Sequence, residues 1–157
     1  MGFDIRGKNP TNKAGESFRN NIWWWRPLWE YCHNVAPDII TKEIYNAGRY
    51  NDGREVDSEE TLRLADRLQT LIDEGSTEAY RVNRETEIAA LPDEMCMICG
   101  GGGKRAEPPW TGPGPVTCND CRGTGKRRPW VKNYLFDVEN VQEFATFLQS
   151  CGGFEIW

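Results

Sequence analysis

The clearest feature of the chain is a helical repeat of apolar residues near its middle. The repeat follows Asp57, a good helix cap with Glu60 three residues on, and stops at Gly75. It consists of Leu64, Ala65, Leu68, Leu71 and Ile72. A second, strongly charged helix is predicted from Ser76 to about residue 91, before Pro92. We expect these two helices to form a hairpin.

A tryptophan-rich segment predicts another helix, over residues 24–36. One of its faces carries apolar side chains at helical spacing, namely Trp25, Leu28, Trp29 and Cys32. We expect Pro27 in the first turn, where its missing N–H leaves no helical hydrogen bond unmade. The tryptophans can pack in the core, or Trp23 and Trp24 can stack on nucleic-acid bases.

The last helix is predicted to begin after Asp137, which can cap it. Phe136 and Val141 have the spacing of a hydrophobic staple, and Gly152 stops the helix. Its core face consists of Val141, Phe144, Ala145 and Leu148.

Short apolar runs at both ends of the chain predict strands. Residues 3–5 and 154–157 are expected to pair in a small sheet. Residues 6–21 and 48–53 are predicted as loops, residues 38–45 as a helical turn or a strand, and residues 126–134 as a strand. The expected class is α+β: a small helical domain with short terminal strands and an inserted lobe.

The inserted lobe is organised by two copies of the pattern Cys-x-x-Cys-x-Gly-x-Gly. Cys96 and Cys99 belong to the first copy, and Cys118 and Cys121 belong to the second. Eighteen residues lie between Cys99 and Cys118. This spacing predicts one structural Zn²⁺ held by four thiolates, with glycines that let the backbone approach the sulfurs. The alternative is two reduced or disulfide-bonded pairs. We place the zinc-binding lobe at residues 95–126 and an α+β body at residues 1–94 plus 127–157.

The repeat resembles the cysteine-rich region of the DnaJ co-chaperones, whose signature is the same unit. The resemblance covers about 30 of the 157 residues. The co-chaperones carry four units and bind two zinc ions, whereas this chain has two units and no recognisable J-domain. The resemblance therefore implies a zinc module, which other proteins reuse as a binding platform.

Several further segments resemble a group of small bacteriophage proteins that also carry paired cysteine units. They are residues 2–4, 7–10, 18–21, 23–28 and the Cys-Gly-Gly-Phe-Glu run at 151–155. This resemblance spans most of the chain. It implies a phage or prophage origin and no particular activity.

Charge is distributed unevenly along a chain whose net charge is −5. Residues 104–132 carry seven basic and two acidic side chains, and residues 52–94 carry thirteen acidic and five basic ones. Four basic residues follow the second cysteine pair and could contact phosphates. They are Arg122, Lys126, Arg127 and Arg128. The alternative is a solvated surface that balances the charge of the metal centre.

A proline-rich insert lies between the two cysteine pairs, over residues 104–117. Its four prolines surround Trp110 and exclude regular structure. Because metal ligands hold both of its ends, we expect a restrained loop that presents Trp110 to a partner.

Three further candidate ligands lie outside the repeat: Cys32, His33 and Cys151. A second metal site would need a fourth ligand. The alternative is two buried thiols that act as small hydrophobic groups and a surface histidine.

Catalysis finds little support in the sequence, and we expect no enzymatic activity. The chain has one histidine, and no phosphate-binding glycine loop follows a strand. A zinc ion held by four thiolates offers no position to a substrate. The start of the chain has no apolar run typical of a signal peptide, so paired Cys-x-x-Cys motifs indicate a cytoplasmic protein, here in a bacterial host.

Two functions follow from these features. The first is a phage-encoded, zinc-stabilised interaction protein that binds a host protein or complex, with inhibition of a bacterial defence system as one form of that role. The alternative is nucleic-acid or nucleotide binding through the basic residues of the lobe and the tryptophan cluster. No membrane association is expected, because no stretch approaches about 20 apolar residues.

Overall fold

The computed structural model describes residues 2–157 and is an α+β protein, as the sequence predicts. The helices are α1 (Ile22–Val35), α2 (Lys42–Tyr50), α3 (Ser58–Asp73), α4 (Ser76–Ala90) and α5 (Val138–Ser150). The strands are β1 (Gly2–Gly7), β2 (Ser17–Asn21), β3 (Glu55–Val56), β4 (Glu94–Met95), β5 (Lys104–Arg105), β6 (Val116–Thr117), β7 (Lys126–Arg127) and β8 (Phe154–Ile156). None of the helices in residues 2–157 is both long and apolar enough to cross a membrane.

The chain divides into two compact units. Met1–Arg84 and Asn133–Trp157 form the first, called the body below, and Glu85–Lys132 form the second, called the cysteine unit. The lobe predicted over residues 95–126 lies within the cysteine unit.

The body contains a four-stranded antiparallel sheet in the order β2-β1-β8-β3. Ile5 pairs with Ile156, which confirms the predicted pairing of the two chain ends. The loop predicted over residues 6–21 is wrong at its end, where residues 17–21 form β2 and pair with β1. Phe18 is the only buried residue of β2. The sequence of this edge strand therefore shows almost no alternation of apolar and polar residues from which a strand could be predicted.

Helix α1 begins two residues earlier than predicted because Asn21 caps it. The Asn21 side chain accepts hydrogen bonds from the backbone N–H groups of Trp23 and Trp24. Pro27 consequently lies in the second turn, not in the first as predicted. The fully buried face of α1 includes the predicted Trp25, Leu28, Trp29 and Cys32.

The indoles of Trp25 and Trp29 are satisfied inside the core. Their rings stack with centroids 5.1 Å apart, and their Nε1–H groups donate to the carbonyls of Gly48 and Tyr45 at 2.9 and 3.0 Å. Both acceptors lie in α2. Because this helix extends to Tyr50, the loop predicted over residues 48–53 is wrong for its first three residues. Glycine is required at position 48, because a Cβ there would lie 2.5 Å from the Trp29 Nε1.

The capping predictions for α3 and α5 are confirmed. The Asp57 carboxylate accepts from the Glu60 N–H at 2.9 Å, and the Asp137 carboxylate accepts from the Asn140 N–H at 2.7 Å. Ser76 is the first residue of α4, as predicted, and its hydroxyl donates to the Glu74 carboxylate at 2.7 Å.

Helices α3 and α5 pack against each other across the core of the body. The side-chain amides of Gln69 on α3 and Gln142 on α5 exchange hydrogen bonds of 2.7 and 3.2 Å. The buried side chains of α5 include Phe144 and Phe147, which face the sheet through Phe18 and Phe154.

The strand predicted over residues 126–134 is only two residues long. β7 ends at Arg127, and residues 130–133 form a 3₁₀ turn in which the Lys132 N–H donates to the Pro129 carbonyl at 3.1 Å. The Lys132 ammonium also donates to the carbonyl of Leu91, just beyond α4, at 2.8 Å. The Lys132 side chain thus joins this turn to the end of α4.

Candidate metal centre

Each of the two cysteine repeats connects two short strands that pair with the strands flanking the other repeat. β4 pairs with β7, with Glu94 opposite Arg127, and β5 pairs with β6, with Lys104 opposite Thr117. The first repeat connects β4 to β5, and the second connects β6 to β7. Each repeat is therefore held at both of its ends by a strand adjacent to the other repeat.

Reciprocal backbone hydrogen bonds join the repeats. The Cys96 N–H donates to the Gly125 carbonyl, and the Cys118 N–H donates to the Gly103 carbonyl, both at 2.9 Å. The first cysteine of each repeat is thus fixed by the last glycine of the other. This twofold pattern orients the two Cys-x-x-Cys turns toward one point.

The last glycine of each repeat adopts the left-handed backbone conformation that the turn requires. Gly103 and Gly125 have φ values of 74° and 75°. A Cβ at either position would lie 2.2 or 2.0 Å from a backbone carbonyl oxygen of the opposite repeat. Glycine therefore serves both the turn and the close approach of the two chains.

The four predicted ligands come together, and their sulfur atoms have the spacing of a tetrahedral metal site. Cys96 Sγ lies 3.8 Å from Cys118 Sγ, Cys99 Sγ lies 3.8 Å from Cys121 Sγ, and all four sulfurs lie within 4.8 Å of one another. Sulfurs bound at about 2.3 Å around one tetrahedral ion would lie about 3.8 Å apart. A disulfide would need about 2.05 Å, so the alternative of two disulfides does not fit.

The environment of the sulfurs is closed. Cys96, Cys99 and Cys118 are fully buried, and Cys121 is 6 % exposed. Burial raises the pKa of the Cys96 thiol to about 12. Burial acts in the same direction on Cys121, but hydrogen bonding, led by the Gly125 N–H at 3.3 Å from its Sγ, lowers the pKa to about 7.

One carboxylate lies beside the centre. Asp120 is the third residue of the second Cys-x-x-Cys turn, and its Oδ2 lies 3.2 Å from Cys96 Sγ. The Arg127 guanidinium lies 3.8 Å from the same oxygen. Arg127, a predicted phosphate contact, thus balances negative charge at the cysteine cluster.

The proline-rich loop is held by Arg105, a residue that the sequence pattern does not single out. Its guanidinium donates to the carbonyls of Ala106 and Trp110 and to the Asn119 side chain, at 3.0–3.1 Å. The Gly112 N–H also donates to the Ile98 carbonyl at 2.9 Å, which joins the loop to the first cysteine turn.

Two large apolar side chains project from these joined segments. Trp110 is 72 % exposed and Met97, within the first Cys-x-x-Cys turn, is 71 % exposed. Trp110 therefore lies on a restrained loop, as predicted. The prediction that residues 104–117 lack regular structure is wrong at both ends of the segment, where β5 and β6 pair. Met97 gives no signal in the sequence, because a methionine between two cysteines is equally compatible with burial.

The other basic residues have different surroundings. Arg122 and Lys126 are exposed, and Arg122 has a φ of 53°. Arg128 donates to the Lys132 carbonyl at 2.8 Å. Arg122 and Lys126 are therefore the two members of the predicted phosphate-binding group whose side chains are exposed and make neither a hydrogen bond nor an ion pair within the described residues.

Trp23 and Trp24 lie in the body, and both are half-buried. The Trp23 ring contacts Tyr134, with centroids 5.3 Å apart. Trp24 lines a shallow hollow together with one cation, Arg19, and three carboxylates, those of Asp137, Glu139 and Glu143. The net negative charge of this lining opposes the approach of a phosphate.

The three leftover candidate ligands do not form a second cluster in residues 2–157. Cys32 and Cys151 are fully buried, and burial raises the pKa of both thiols, that of Cys151 to about 11. His33 Nδ1 lies 2.6 Å from the Ile40 carbonyl, and its ring stacks on Tyr45. The surroundings of all three side chains therefore fit a role in packing rather than in metal binding.

Comparison of the chain with protein-family models, with curated proteins and with solved structures found no match.

Proposed function

We propose that the four-cysteine cluster binds one Zn²⁺ and that this ion has a structural role. The spacing of the sulfurs supports an ion with bonds of about 2.3 Å, the value for zinc–thiolate bonds. Four protein ligands complete a tetrahedron, and burial of the sulfurs leaves no position for a substrate. Zinc binding would then contribute to the folding free energy of the cysteine unit.

On this basis the chain is a phage-encoded, zinc-stabilised interaction protein that binds a host protein or complex through the cysteine unit. The observation that carries this function is the joint exposure of Met97 and Trp110. Exposed large apolar residues on a restrained surface are typical of binding sites, since a tryptophan buries a large area when a partner covers it and a flexible methionine adapts to the shape of the partner.

The resemblance to phage proteins supports a bacterial partner, and a defence complex of the host is the partner class that we propose. The Ile98–Gly112 hydrogen bond supports one continuous contact surface, because it holds the two segments that carry the exposed side chains together. Arg105 contributes by fixing the loop before binding, which lowers the entropic cost of association.

The test is an affinity capture from a bacterial host lysate with nuclease present. The tagged wild type should retain one partner at a near-equal amount, and Met97→Ser combined with Trp110→Ser should lose it. Tyr50→Ser is the matched control, because Tyr50 is 66 % exposed in the body. Equal capture by both variants would contradict the assignment of this surface.

Nucleic-acid binding is the second candidate, and the exposed Arg122 and Lys126 favour it. It predicts nuclease-sensitive material that is released by salt, because phosphate contacts displace counterions. Arg122→Gln with Lys126→Gln should remove this material and leave the capture of a protein partner unchanged.

A further inference from the structure

The outer edge of the body's sheet has unused backbone hydrogen-bonding groups. β2 is an edge strand of five residues, whereas β3 at the opposite edge has two. The Gly7 N–H donates to the Glu16 carbonyl at 3.0 Å, so Gly7 and Glu16 are a hydrogen-bonded pair of the β1–β2 ladder. Ile5 and Phe18, two positions further along this ladder, are the next hydrogen-bonded pair. Because hydrogen-bonded pairs alternate in an antiparallel ladder, Ser17 and Arg19 direct their N–H and C=O groups away from β1.

The pairing on the other side of β1 gives the same alternation. Asp4 exchanges backbone hydrogen bonds of 2.8 and 2.9 Å with Trp157, on the side of β1 opposite β2. Because neighbouring residues alternate, the backbone N–H and C=O groups of Ile5 point toward β2. Within residues 2–157 no hydrogen bond engages the outward backbone groups of Ser17 and Arg19. Proteins usually cover such an edge, shorten it or place unpaired charges on it. The Arg19 guanidinium is instead engaged with Asp4 at 3.2 Å.

A groove runs along this edge between β2 and α5. It consists of two adjoining hollows of about 440 and 210 Å³, and Glu139 and Glu143 line both of them. Phe18 and Phe147 form apolar wall in the larger hollow, and Trp24 lines the smaller one. The β2–α5 groove therefore combines open strand hydrogen bonds with side-chain pockets beside them.

The charge of the groove selects its occupant. Glu139 and Glu143 are exposed and form no ion pair within the described part of the chain. A lysine or arginine side chain that enters from an added strand can lay its aliphatic stem along Phe18 and Phe147 and place its charge at these carboxylates. An acidic segment would meet like charge at the same positions.

We propose that β2 binds an extended, basic peptide segment of a partner protein as an additional strand, with lysine or arginine side chains in the β2–α5 groove. Backbone bonds to Ser17 and Arg19 supply affinity, and the two carboxylates supply selection for basic side chains. All of these residues lie in the body, so this site does not rest on the function proposed for the cysteine unit.

The test uses a seven-residue peptide of alternating lysine and threonine, blocked at both ends, with the isotopically labelled full-length protein. NMR titration should give a Kd of about 1 mM or tighter, with the largest shifts at the Ser17 and Arg19 amides. A glutamate–threonine peptide should bind at least about tenfold more weakly. A lysine–threonine peptide with N-methyl groups on the edge facing β2 should also bind at least about tenfold more weakly, since it cannot form the backbone hydrogen bonds of the ladder.

Glu139→Lys should weaken the lysine–threonine peptide at least about fivefold. Its matched control is Glu59→Lys, which reverses an exposed carboxylate in the first turn of α3 and should leave binding unchanged. The proposal is overturned if the N-methylated peptide binds equally well, if the shifts map elsewhere, or if no binding occurs. It is equally overturned if the Ser17 and Arg19 amides shift with protein concentration alone, since a second copy would then occupy the edge.

Discussion

The backbone N–H of Leu135 donates a 2.9 Å hydrogen bond to the carbonyl oxygen of Trp23. In an uninterrupted helix that carbonyl would accept from residue 27, but Pro27 has no N–H. The segment before α5 therefore replaces a helical hydrogen bond that the proline removes. This replacement explains how α1 tolerates a proline in its second turn.

Removal of this donor should destabilise the body by about 1–2 kcal/mol in urea unfolding. Leu135→Pro makes that change, and Leu135→Ala controls for the half-exposed side chain. In a Pro27→Ala background the cost of Leu135→Pro should fall, because residue 27 then supplies an N–H to Trp23. An identical cost in both backgrounds would show that the two residues do not share this carbonyl.

Gly103→Ala should destabilise the cysteine unit by at least about 2 kcal/mol. Its φ of 74° is unfavourable for alanine, and the new Cβ would overlap the Gly123 carbonyl. Gly102→Ala is the neighbouring control, with its nearest atom at 3.8 Å. Thermal unfolding and metal transfer to a chelator measure the difference, and similar values for the two variants would argue against the reciprocal packing of the repeats.

Arg122 has the left-handed conformation that Gly100 adopts at the equivalent position of the first repeat, with φ values of 53° and 64°. Arg122→Gly should leave stability unchanged or raise it by up to about 1 kcal/mol, because released strain opposes the added chain entropy. Arg122→Val should lower it by about 1–2 kcal/mol, since β-branching disfavours this conformation. Chemical unfolding that ranks valine above glycine would refute this reading of the backbone.

Arg105→Ala should release the proline-rich loop without loss of metal. Three hydrogen bonds of its guanidinium hold residues 106, 110 and 119. Chymotrypsin should then cleave after Trp110 several-fold faster than in the wild type, because cleavage requires local opening. Lys104→Ala removes an adjacent exposed cation and should leave the cleavage rate unchanged. Equal rates for both variants would mean that the loop is fixed by other contacts.

The parts of the fold that the sequence predicts are those with local signals. Asp57 and Asp137 cap helices through their own side chains, and the cysteine spacing depends on one repeated turn. Glycine in that turn has a local reason, which is the positive φ of the backbone. Such features depend little on the remainder of the chain.

The parts that it misses depend on distant partners. β2 has one buried side chain, Phe18, and is a strand because β1 lies beside it. Residues 48–50 continue α2 although they include Gly48, because the Trp25 indole donates to its carbonyl. Arg105 is one cation among several in the sequence, and its role follows from three acceptors that the fold brings together.

The metal content of the purified protein is the measurement that tests the central claim most directly. Elemental analysis should find one zinc per wild-type chain and none in Cys99→Ser, which should also unfold the cysteine unit. Cys32→Ser, at a buried cysteine outside the cluster, should keep the zinc whenever the body folds. A structural zinc site would be contradicted if the folded wild type contains no zinc. It would also be contradicted if the Cys99→Ser variant retains full stability.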